Sequence, residues 1–369
     1  MYQKILTTIA IWAIFLISTS AQGLPIGEAN FSFTDPARAN RVVDGKVYYP
    51  ATLAGLNQPV AMGEFPIVVF GHGFVTAISE YQVWWEGLVP EGYIFILPTT
   101  EGGFGPSHAD FGADISFLVD TYLAEGNNSS SIFFQHISGT SAVMGHSMGG
   151  GCSFLAAESN ANVNAQVSLA AAETTPSAIA AAANITIPSL VIAGSKDCIA
   201  PPAAHQIPIY NALASSYKAY LEIIDGSHCQ FGEASGFSNC VTGEAFSCPF
   251  TSYISKADQH TQMLSSTLPW LDYWLKADCN AWTTFHDYLT MSSNHTYMES
   301  GTAACCDAIL IVDGTIDNGL YEAGMTILSD GLVPNGNDVV FHAGTSIELE
   351  SGFEVELGAS FIAEIEGCN

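Results

Sequence analysis

A chain of 369 residues with 48% hydrophobic content can bury one large core and has enough sequence left for a second, smaller module. Its 36 acidic residues against 8 basic ones give a formal net charge of -28, which repels phosphate backbones and anionic membrane surfaces. These numbers argue against nucleic acid as a partner.

The N-terminus has the pattern of an export signal. Lys4 supplies a positive charge, residues 5–17 are apolar, and residues 18–21 are small, as signal peptidase requires. The alternative is a membrane anchor, but the apolar run is shorter than the ~20 residues that a membrane span needs. We therefore expect a signal peptide at residues 1–21 and a secreted or cell-surface protein, and no later segment is long and apolar enough for a stable membrane span.

Short apolar runs recur through the middle of the chain and alternate with segments, such as 109–123 and 203–217, that are long enough for helices. The run at 66–70 stops at Gly71-His72-Gly73, as a strand buried on both faces of a parallel sheet would. The other runs lie at 93–97, 141–145, 163–170, 189–193 and 220–224. Strands alternating with helices predict an α/β fold with a doubly wound, mostly parallel sheet, whose ligands bind beyond the carboxyl ends of the strands.

The pattern changes after about Cys305, where short apolar runs alternate with a period of two and glycines recur at near-regular intervals. The runs lie at 325–328, 339–341, 346–349, 353–355 and 361–363. This regular alternation disfavours the alternative of a disordered acidic tail. We therefore predict a catalytic domain at 22–304 and a small all-β module at 305–369.

The strongest chemical motif is Gly145-His146-Ser147-Met148-Gly149, which follows a predicted strand and precedes a predicted helix. It matches the nucleophile elbow, in which flanking glycines permit strained backbone angles at the serine and the hydroxyl is exposed at a helix N-terminus. The alternative is an ordinary glycine-rich turn. We predict that Ser147 is a catalytic nucleophile.

A serine nucleophile needs a histidine base and an acid that orients it, and this fold should supply them later in the chain, the acid first. Asp197 follows the predicted strand at 189–193, and His228 follows the one at 220–224. Asp225 is the alternative acid, but it lies too close to His228 in sequence to reach it from another loop. His205 falls in a helix-like segment, and we expect the histidines after Cys240 to lie beyond the sheet.

Two backbone amides should meet the oxyanion of the tetrahedral intermediate, one from the residue after the nucleophile and one from the loop after an early strand. Those residues are Met148 and Phe74, and Phe74 would also place an aromatic wall beside the acyl group. His72 could be a metal ligand or a packed core residue. No second ligand at metal-binding spacing accompanies it, so we expect a structural role and no metal site.

At these residues the chain resembles the branch of α/β-hydrolases that includes dienelactone hydrolases, chlorophyllases and bacterial cutinases that cleave polyesters. The resemblance covers roughly residues 60–280 and rests on Gly73-Phe74, Trp84-Trp85, Gly92-Tyr93, the elbow, Asp197-Cys198-Ile199-Ala200-Pro201 and Ser227-His228. It implies hydrolysis through an acyl-enzyme without a cofactor, in a shallow cleft where Phe74 and Met148 contact the acyl part.

One departure from the cutinase pattern concerns the substrate. Bacterial cutinases have a tryptophan after a proline in the segment that follows the strand after the elbow, whereas this chain has Pro176-Ser177. Ser177 in that substrate-binding place weakens stacking on an aromatic polyester, and Glu173 would disfavour anionic acids.

All nine cysteines follow the leader, and in an oxidising compartment most should be paired. Cys152 is the expected unpaired one, because it lies one helical turn beyond Ser147, where a small buried residue should pack. A Cys198–Cys229 bridge would join the acid loop to the base loop, although either cysteine could pair elsewhere. Some polyester hydrolases have a bridge in that region, from differently offset positions. Cys240 and Cys248 could close a local loop, and the pairing of the remaining cysteines stays open: Cys279, Cys305, Cys306 and Cys368.

The C-terminal stretch from about Val312 resembles a short β module found at the ends of secreted Bacteroidetes proteins, on the segments 341–347 and 352–355. That resemblance implies a surface, sorting or adhesion role, with possible contact to the cell surface or secretion machinery. The sequence as a whole predicts a secreted serine ester hydrolase, with polyester or cutin-like material among its candidate substrates. The alternatives are an amidase or peptidase with the same triad, and a non-catalytic binding protein on a hydrolase scaffold.

Overall fold

The computed structural model describes residues 23–233, 238–303 and 309–365. The predicted signal peptide and three cysteines of undetermined pairing lie outside the described residues: Cys305, Cys306 and Cys368. Within the described part of the chain, no helix has the length and apolar character needed to cross a membrane.

The larger part of the structure is a ten-stranded sheet with helices on both faces. Its strands are β1 (Ile26–Asp35), β2 (Arg41–Pro50), β3 (Gly55–Leu56), β4 (Phe65–Gly71), β5 (Ile94–Pro98), β6 (Ile137–His146), β7 (Ala165–Leu169), β8 (Ser189–Gly194), β9 (Tyr217–Ile223) and β10 (His295–Gly301). The helices are α1 (Gln82–Leu88), α2 (His108–Glu125), α3 (Met148–Ser159), α4 (Ala178–Ala182), α5 (Gln206–Ala212), α6 (Asn239–Ser247), α7 (Lys256–Lys276) and α8 (Cys279–Met291).

The strand order is β10-β9-β8-β7-β6-β4-β5-β2-β1-β3. Strands β4 to β9 pair in parallel, whereas β2 joins β5, β1 joins β2 and β10 joins β9 in antiparallel fashion. All six predicted apolar runs before residue 225 are strands of the parallel block, so the predicted α/β class is confirmed. The parallel block also brings the carboxyl ends of its strands to one edge of the sheet.

Strands in this block are buried on both faces because helices cover both sides. In β4, Val68 and Phe70 belong to one apolar cluster with Trp84 of α1 and Trp270 of α7. The intervening β4 residues, Ile67 and Val69, belong to a second cluster with Phe111 of α2 and Cys152 of α3. Alternate side chains of a strand point to opposite faces, so this division shows two packed layers on one sheet.

Three expectations about the sheet need correction. The antiparallel pair β1 and β2 and the edge strand β10 extend the sheet beyond the predicted strands. His295 starts β10, so the expectation that the histidines after Cys240 lie beyond the sheet was wrong for this residue. The predicted helical segment 203–217 is also too long: α5 ends at Ala212, because Tyr217 already pairs with Gly301 in the sheet.

The C-terminal part, which we call the solenoid (309–365), consists of short parallel strands in successive coils. They are β11 (Ile309–Ile311), β12 (Gly319–Ala323), β13 (Thr326–Ser329), β14 (Leu332–Val333), β15 (Asp338–Ala343), β16 (Ser346–Leu349), β17 (Glu354–Val355) and β18 (Ser360–Glu364). They form the small sheets β11-β13-β16, β12-β15-β18 and β14-β17. Ile327, Val333 and Phe341 are buried between these sheets. The predicted small β sheets are therefore present, and the strands within each sheet are parallel.

Candidate active site

Ser147 lies in the sharp turn between β6 and α3. Its backbone has φ 56° and ψ -119°, which is strained for a residue with a side chain. The neighbouring glycines are required by space: a Cβ on Gly145 would lie 2.3 Å from the Gly149 carbonyl oxygen, and one on Gly149 would lie 2.1 Å from that of Gly71. The local structure therefore has the form of a nucleophile elbow, as the sequence predicted.

Three predicted residues meet beyond the carboxyl ends of β6, β8 and β9. The Oγ atom of Ser147 lies 2.9 Å from Nε2 of His228, and Nδ1 of His228 lies 2.6 Å from Oδ2 of Asp197. The other oxygen of Asp197, Oδ1, accepts hydrogen bonds from the backbone amides of Ile199 and Ala200, each at 2.8 Å. These bonds leave the carboxylate to accept from Nδ1 of His228, so Nε2 is free to accept the serine proton.

The two rejected alternatives lie elsewhere. Asp225 is half-buried and forms an ion pair with Lys196 at 2.9 Å. His205 precedes α5 and accepts a hydrogen bond at Nδ1 from the backbone amide of Glu173, at 2.9 Å. Burial lowers the pKa of His205 from its ordinary value. Neither side chain takes part in the hydrogen-bonded chain of Ser147.

The two predicted oxyanion residues differ in their side chains. Met148 starts α3, where a backbone N–H has no partner within the helix, but its side chain is only 3% exposed and packs in the core beside Cys152. Phe74 is 49% exposed, and the next residue, Val75, has φ 47°, which is strained for a β-branched residue. The side chain of Phe74 is thus available to a substrate, whereas Met148 can contribute chiefly its amide.

A cavity of about 310 Å³ opens beside Ser147 and His228. Its other lining residues carry no acidic or basic side chain except an imidazole: Gly73, Phe74, Val75, Thr76, Phe104, His146, Ile199, Asn239, Cys240 and Gly243. Phe104, from the loop between β5 and α2, is 84% exposed and its ring lies 6.3 Å from that of Phe74, nearly perpendicular. Neither Met148 nor Ser177 lines this cavity, and the Ser177 hydroxyl instead accepts from the amide of Ala180 at the start of α4.

His146, inside the elbow motif, belongs to a buried chain of hydrogen bonds. The amide of Gly73 donates to the hydroxyl of Tyr81 at 2.7 Å, and this hydroxyl lies 3.0 Å from Nδ1 of His146. Nε2 of His146 lies 3.0 Å from the backbone carbonyl of His228. Burial, and next the nearby His228, hold the pKa of His146 well below its ordinary value. A neutral His146 therefore connects the loop after β4, which carries Gly73 and Phe74, with the loop that carries His228.

The predicted disulfide pairing was wrong, although the same four cysteines are bonded. The bridges are Cys198–Cys248 and Cys229–Cys240, with Cα–Cα distances of 5.6 and 5.7 Å. Helix α6 separates Cys240 from Cys248, and eight residues of helix span about 12 Å, whereas a disulfide requires Cα atoms within about 7 Å. Each end of α6 is therefore bonded to a different loop. Cys152 is unpaired and buried, which confirms that expectation.

The other buried histidine near the site, His72, has both ring nitrogens 2.9 Å from backbone carbonyl oxygens, those of Gly73 and Thr100. This arrangement fixes the loop after β4. Across residues 23–233, 238–303 and 309–365, no cluster of three or more histidine, cysteine, aspartate or glutamate side chains could hold a metal ion.

Sequence reasoning missed Phe104 and the whole of α6 as parts of the site. Phe104 stands in the run Gly102-Gly103-Phe104-Gly105, which begins a few residues after the predicted strand at 93–97, and an aromatic residue among glycines there was an available signal. Helix α6 contains serine, threonine and glycine, which are weak helix formers, so its pattern gave no comparable indication.

Comparison with known proteins adds a family and several relatives. A family model described as PETase, PET hydrolase-like, matches residues 27–267. A bis(hydroxyethyl) terephthalate hydrolase of Streptomyces coelicolor is 32% identical over 187 residues, which are 50% of this chain and 54% of the relative. Cutinase 1 of Thermobifida cellulosilytica is 33% identical over 124 residues, 33% of this chain and 44% of the relative. The chain thus matches about half the length, or less, of these relatives.

Proposed function

The chain belongs to the PET hydrolase-like family, and from that premise we propose that it hydrolyses carboxylic esters with Ser147 as nucleophile, His228 as general base and Asp197 as the acid that orients the base. The observation that carries the proposal is the unbroken hydrogen-bonded chain from Ser147 Oγ through His228 to Asp197. A non-catalytic scaffold would not be expected to keep all three groups in this geometry.

In the proposed reaction, Ser147 Oγ attacks the ester carbonyl carbon while Nε2 of His228 takes the hydroxyl proton. Asp197 stabilises the resulting imidazolium, and the amides of Met148 and Phe74 donate to the oxyanion. Collapse of the tetrahedral intermediate breaks the bond to the alcohol, which leaves with the proton from His228. His228 then takes a proton from water, and the resulting hydroxide attacks the carbonyl carbon of the acyl-serine. The second tetrahedral intermediate breaks its bond to Ser147 Oγ, which regains its proton from His228 as the carboxylic acid leaves.

The cavity supports an uncharged, apolar acyl group as the substrate. Phe74 and Phe104 present exposed rings next to the nucleophile, and Ile199 adds an aliphatic surface. Among the described residues, no lysine or arginine lines the cavity to bind an anionic acid. Because two relatives are named for a terephthalate ester and for cutin, polyester and cutin-like materials are the proposed polymeric substrates. Phe104 would offer an aromatic contact that Ser177 does not.

We further propose that the enzyme is exported and that residues 22–304 and 305–369 are separate catalytic and accessory units. The two disulfides of the described residues suit an oxidising compartment, and residues 1–21 have a signal-peptide pattern. A surface, sorting or adhesion role is the proposal for the solenoid, on its resemblance to modules of secreted Bacteroidetes proteins.

The test is hydrolysis of p-nitrophenyl esters from acetate to palmitate by the mature protein in salt, with Ser147→Ala and, as a matched control, Ser159→Ala at the other end of α3. We expect turnover of the shorter esters, loss of about 10³-fold or more in Ser147→Ala, and no change in the control. Retained turnover in Ser147→Ala would overturn the mechanism. Absence of turnover in the wild type would direct attention to anilides and to the binding alternative.

A further inference from the structure

Helix α6 contacts each of the three loops that form the proposed active site. At its start, Cys240 is bonded to Cys229, which directly follows His228. At its end, Cys248 is bonded to Cys198, which directly follows Asp197. The helix is thus attached to both the base loop and the acid loop.

The third attachment is to the oxyanion loop. The side-chain amide of Asn239, the first residue of α6, donates to the carbonyl oxygen of Val75 at 3.1 Å. Val75 has a strained backbone and directly follows Phe74. One short helix is therefore attached to the acid loop, the base loop and the oxyanion loop. Two of its residues, Asn239 and Gly243, also line the cavity.

Glu244 lies in the middle of this helix and points inward. The residue is only 7% exposed. Its Oε1 atom accepts hydrogen bonds from the backbone amides of His228 at 2.7 Å and of Cys229 at 3.4 Å. Glu244 thus holds the backbone amide of His228. His146 holds the backbone carbonyl of the same residue.

A buried carboxylate at this position has a cost for stability. Burial raises the pKa of Glu244 from its ordinary value, and hydrogen bonds from His228 and Cys229 oppose that rise only in part. A carboxyl group whose pKa is raised on folding lowers the free energy of unfolding as the pH rises above its unfolded pKa. A neutral side chain would avoid this cost, so stability alone does not account for a glutamate here.

We propose that Glu244 is a positioning residue for the ester hydrolysis proposed above, on which this inference rests: its carboxylate fixes the backbone at His228 and attracts the positive charge that His228 acquires. Charged acceptors form hydrogen bonds about twice as strong as neutral ones, so the charge improves the hold on both amides. The imidazolium formed when Ser147 loses its proton is favoured by a nearby carboxylate.

The experiment compares Glu244→Gln and Glu244→Ala with Asp278→Ala. Asp278 is a matched control, because one oxygen of its carboxylate also accepts from two backbone amides, those of Asn280 at 2.9 Å and Ala281 at 3.3 Å, at the start of α8. For each protein we would measure kcat and KM on p-nitrophenyl butyrate, the rate of Ser147 phosphonylation by ethyl p-nitrophenyl methylphosphonate, and Tm at pH 8.

We expect kcat and the phosphonylation rate to fall about tenfold in Glu244→Gln and up to about 100-fold in Glu244→Ala, with KM within about twofold of wild type, because small displacements of a base have effects of this size. The Tm of Glu244→Gln should equal or exceed that of wild type. Asp278→Ala should lower Tm and leave kcat unchanged.

A Glu244→Gln variant with wild-type rates would overturn the positioning role, as would an equal loss of kcat in Asp278→Ala. Phosphonylation reports the nucleophilicity of Ser147 without an ester substrate. A wild type that is phosphonylated but cleaves no ester would therefore count against the proposed substrate class alone, and equal phosphonylation rates in wild type and both Glu244 variants would count against Glu244 alone.

Discussion

The catalytic region (23–303) and the solenoid (309–365) both depend on parallel strand pairing, but they use it differently. In the catalytic region, β6, β8 and β9 come from distant parts of the chain, and their carboxyl ends gather Ser147, Asp197 and His228. In the solenoid, each strand pairs with one from the neighbouring coil, as Ile327 does with Ile347. Parallel pairing of strands from distant parts of the chain brings the candidate site residues together. Parallel pairing between neighbouring coils repeats one local packing unit.

The two regions also differ in composition in a way that makes them separable by experiment. No lysine or arginine follows Lys276, and no tryptophan follows Trp282. Tryptophan fluorescence therefore reports on the catalytic region without contribution from the solenoid, while far-UV circular dichroism reports on both. Perturbations of either region can be assigned by comparing the two signals.

After Ser147→Ala, the largest effect should come from the proposed acid, Asp197. Asp197→Asn should lower kcat by about 10³- to 10⁴-fold, roughly 4 to 5.5 kcal/mol, because Nδ1 of His228 then loses its charged acceptor and the imidazole its correct tautomer. Steady-state kinetics on p-nitrophenyl butyrate would measure this. Asp225→Asn, at the rejected alternative acid, should stay near wild type, and the opposite result for the two variants would reverse the assignment.

The next effect tests the independence of the solenoid. Phe341 is fully buried in the solenoid core, and Phe341→Ala should lower the free energy of unfolding there by about 3 to 5 kcal/mol. We expect circular dichroism to show an earlier transition while the tryptophan transition and kcat stay unchanged. Leu357→Ala, at a solenoid residue that is 96% exposed, is the control. A parallel fall of kcat would mean that the two regions are energetically coupled.

A third prediction compares the two disulfides within the catalytic region. The bridge Cys198–Cys248 closes a longer loop than Cys229–Cys240, with sequence separations of 50 and 11 residues. Loop entropy then predicts losses of about 4 and about 3 kcal/mol, respectively, when each pair is replaced by serines. Denaturant unfolding followed by tryptophan fluorescence would measure both. Peptide mapping of the oxidised wild type is the control, and a Cys198–Cys229 peptide would contradict the observed pairing.

How much of the sheet could be predicted from the sequence depended on how completely each strand is buried. Strands such as β4 and β8 were recognisable because helices cover both faces and their residues are continuously apolar. Strands β1 and β10 have mostly partly exposed or exposed side chains, so their apolar pattern is weak. The edges of the sheet were missed for that physical reason.

The candidate site also contains some residues that could be predicted from the sequence and others that could not. Ser147, Asp197 and His228 could be predicted because each follows a recognisable strand in a fixed order. Helix α6 and Glu244 could not, since their position depends on two disulfides, and cysteine spacing leaves several pairings open. The correct pairing required knowledge that a helix separates Cys240 from Cys248.

The smallest predicted effect concerns pH and the buried His146, which faces Tyr81, His228 and the ring of Phe231. Its pKa is well below the ordinary value in the folded protein, so below about pH 6.5 the unfolded chain binds a proton that the folded one does not. The free energy of unfolding should therefore fall with decreasing pH, by up to about 1.4 kcal/mol per pH unit from this group.

Replacing His146 with asparagine should remove that contribution from the slope between pH 6.5 and 5, whatever the variant does to stability at neutral pH. The pKa values of His205, His295 and Glu244 are also shifted by folding, but these residues are present in both proteins, so the difference between the two slopes isolates His146. Urea unfolding at several pH values, followed by tryptophan fluorescence, would measure it. Equal slopes would show that the acid sensitivity of the catalytic region arises elsewhere, and the buried chain from Gly73 to His228 would then not depend on a neutral imidazole.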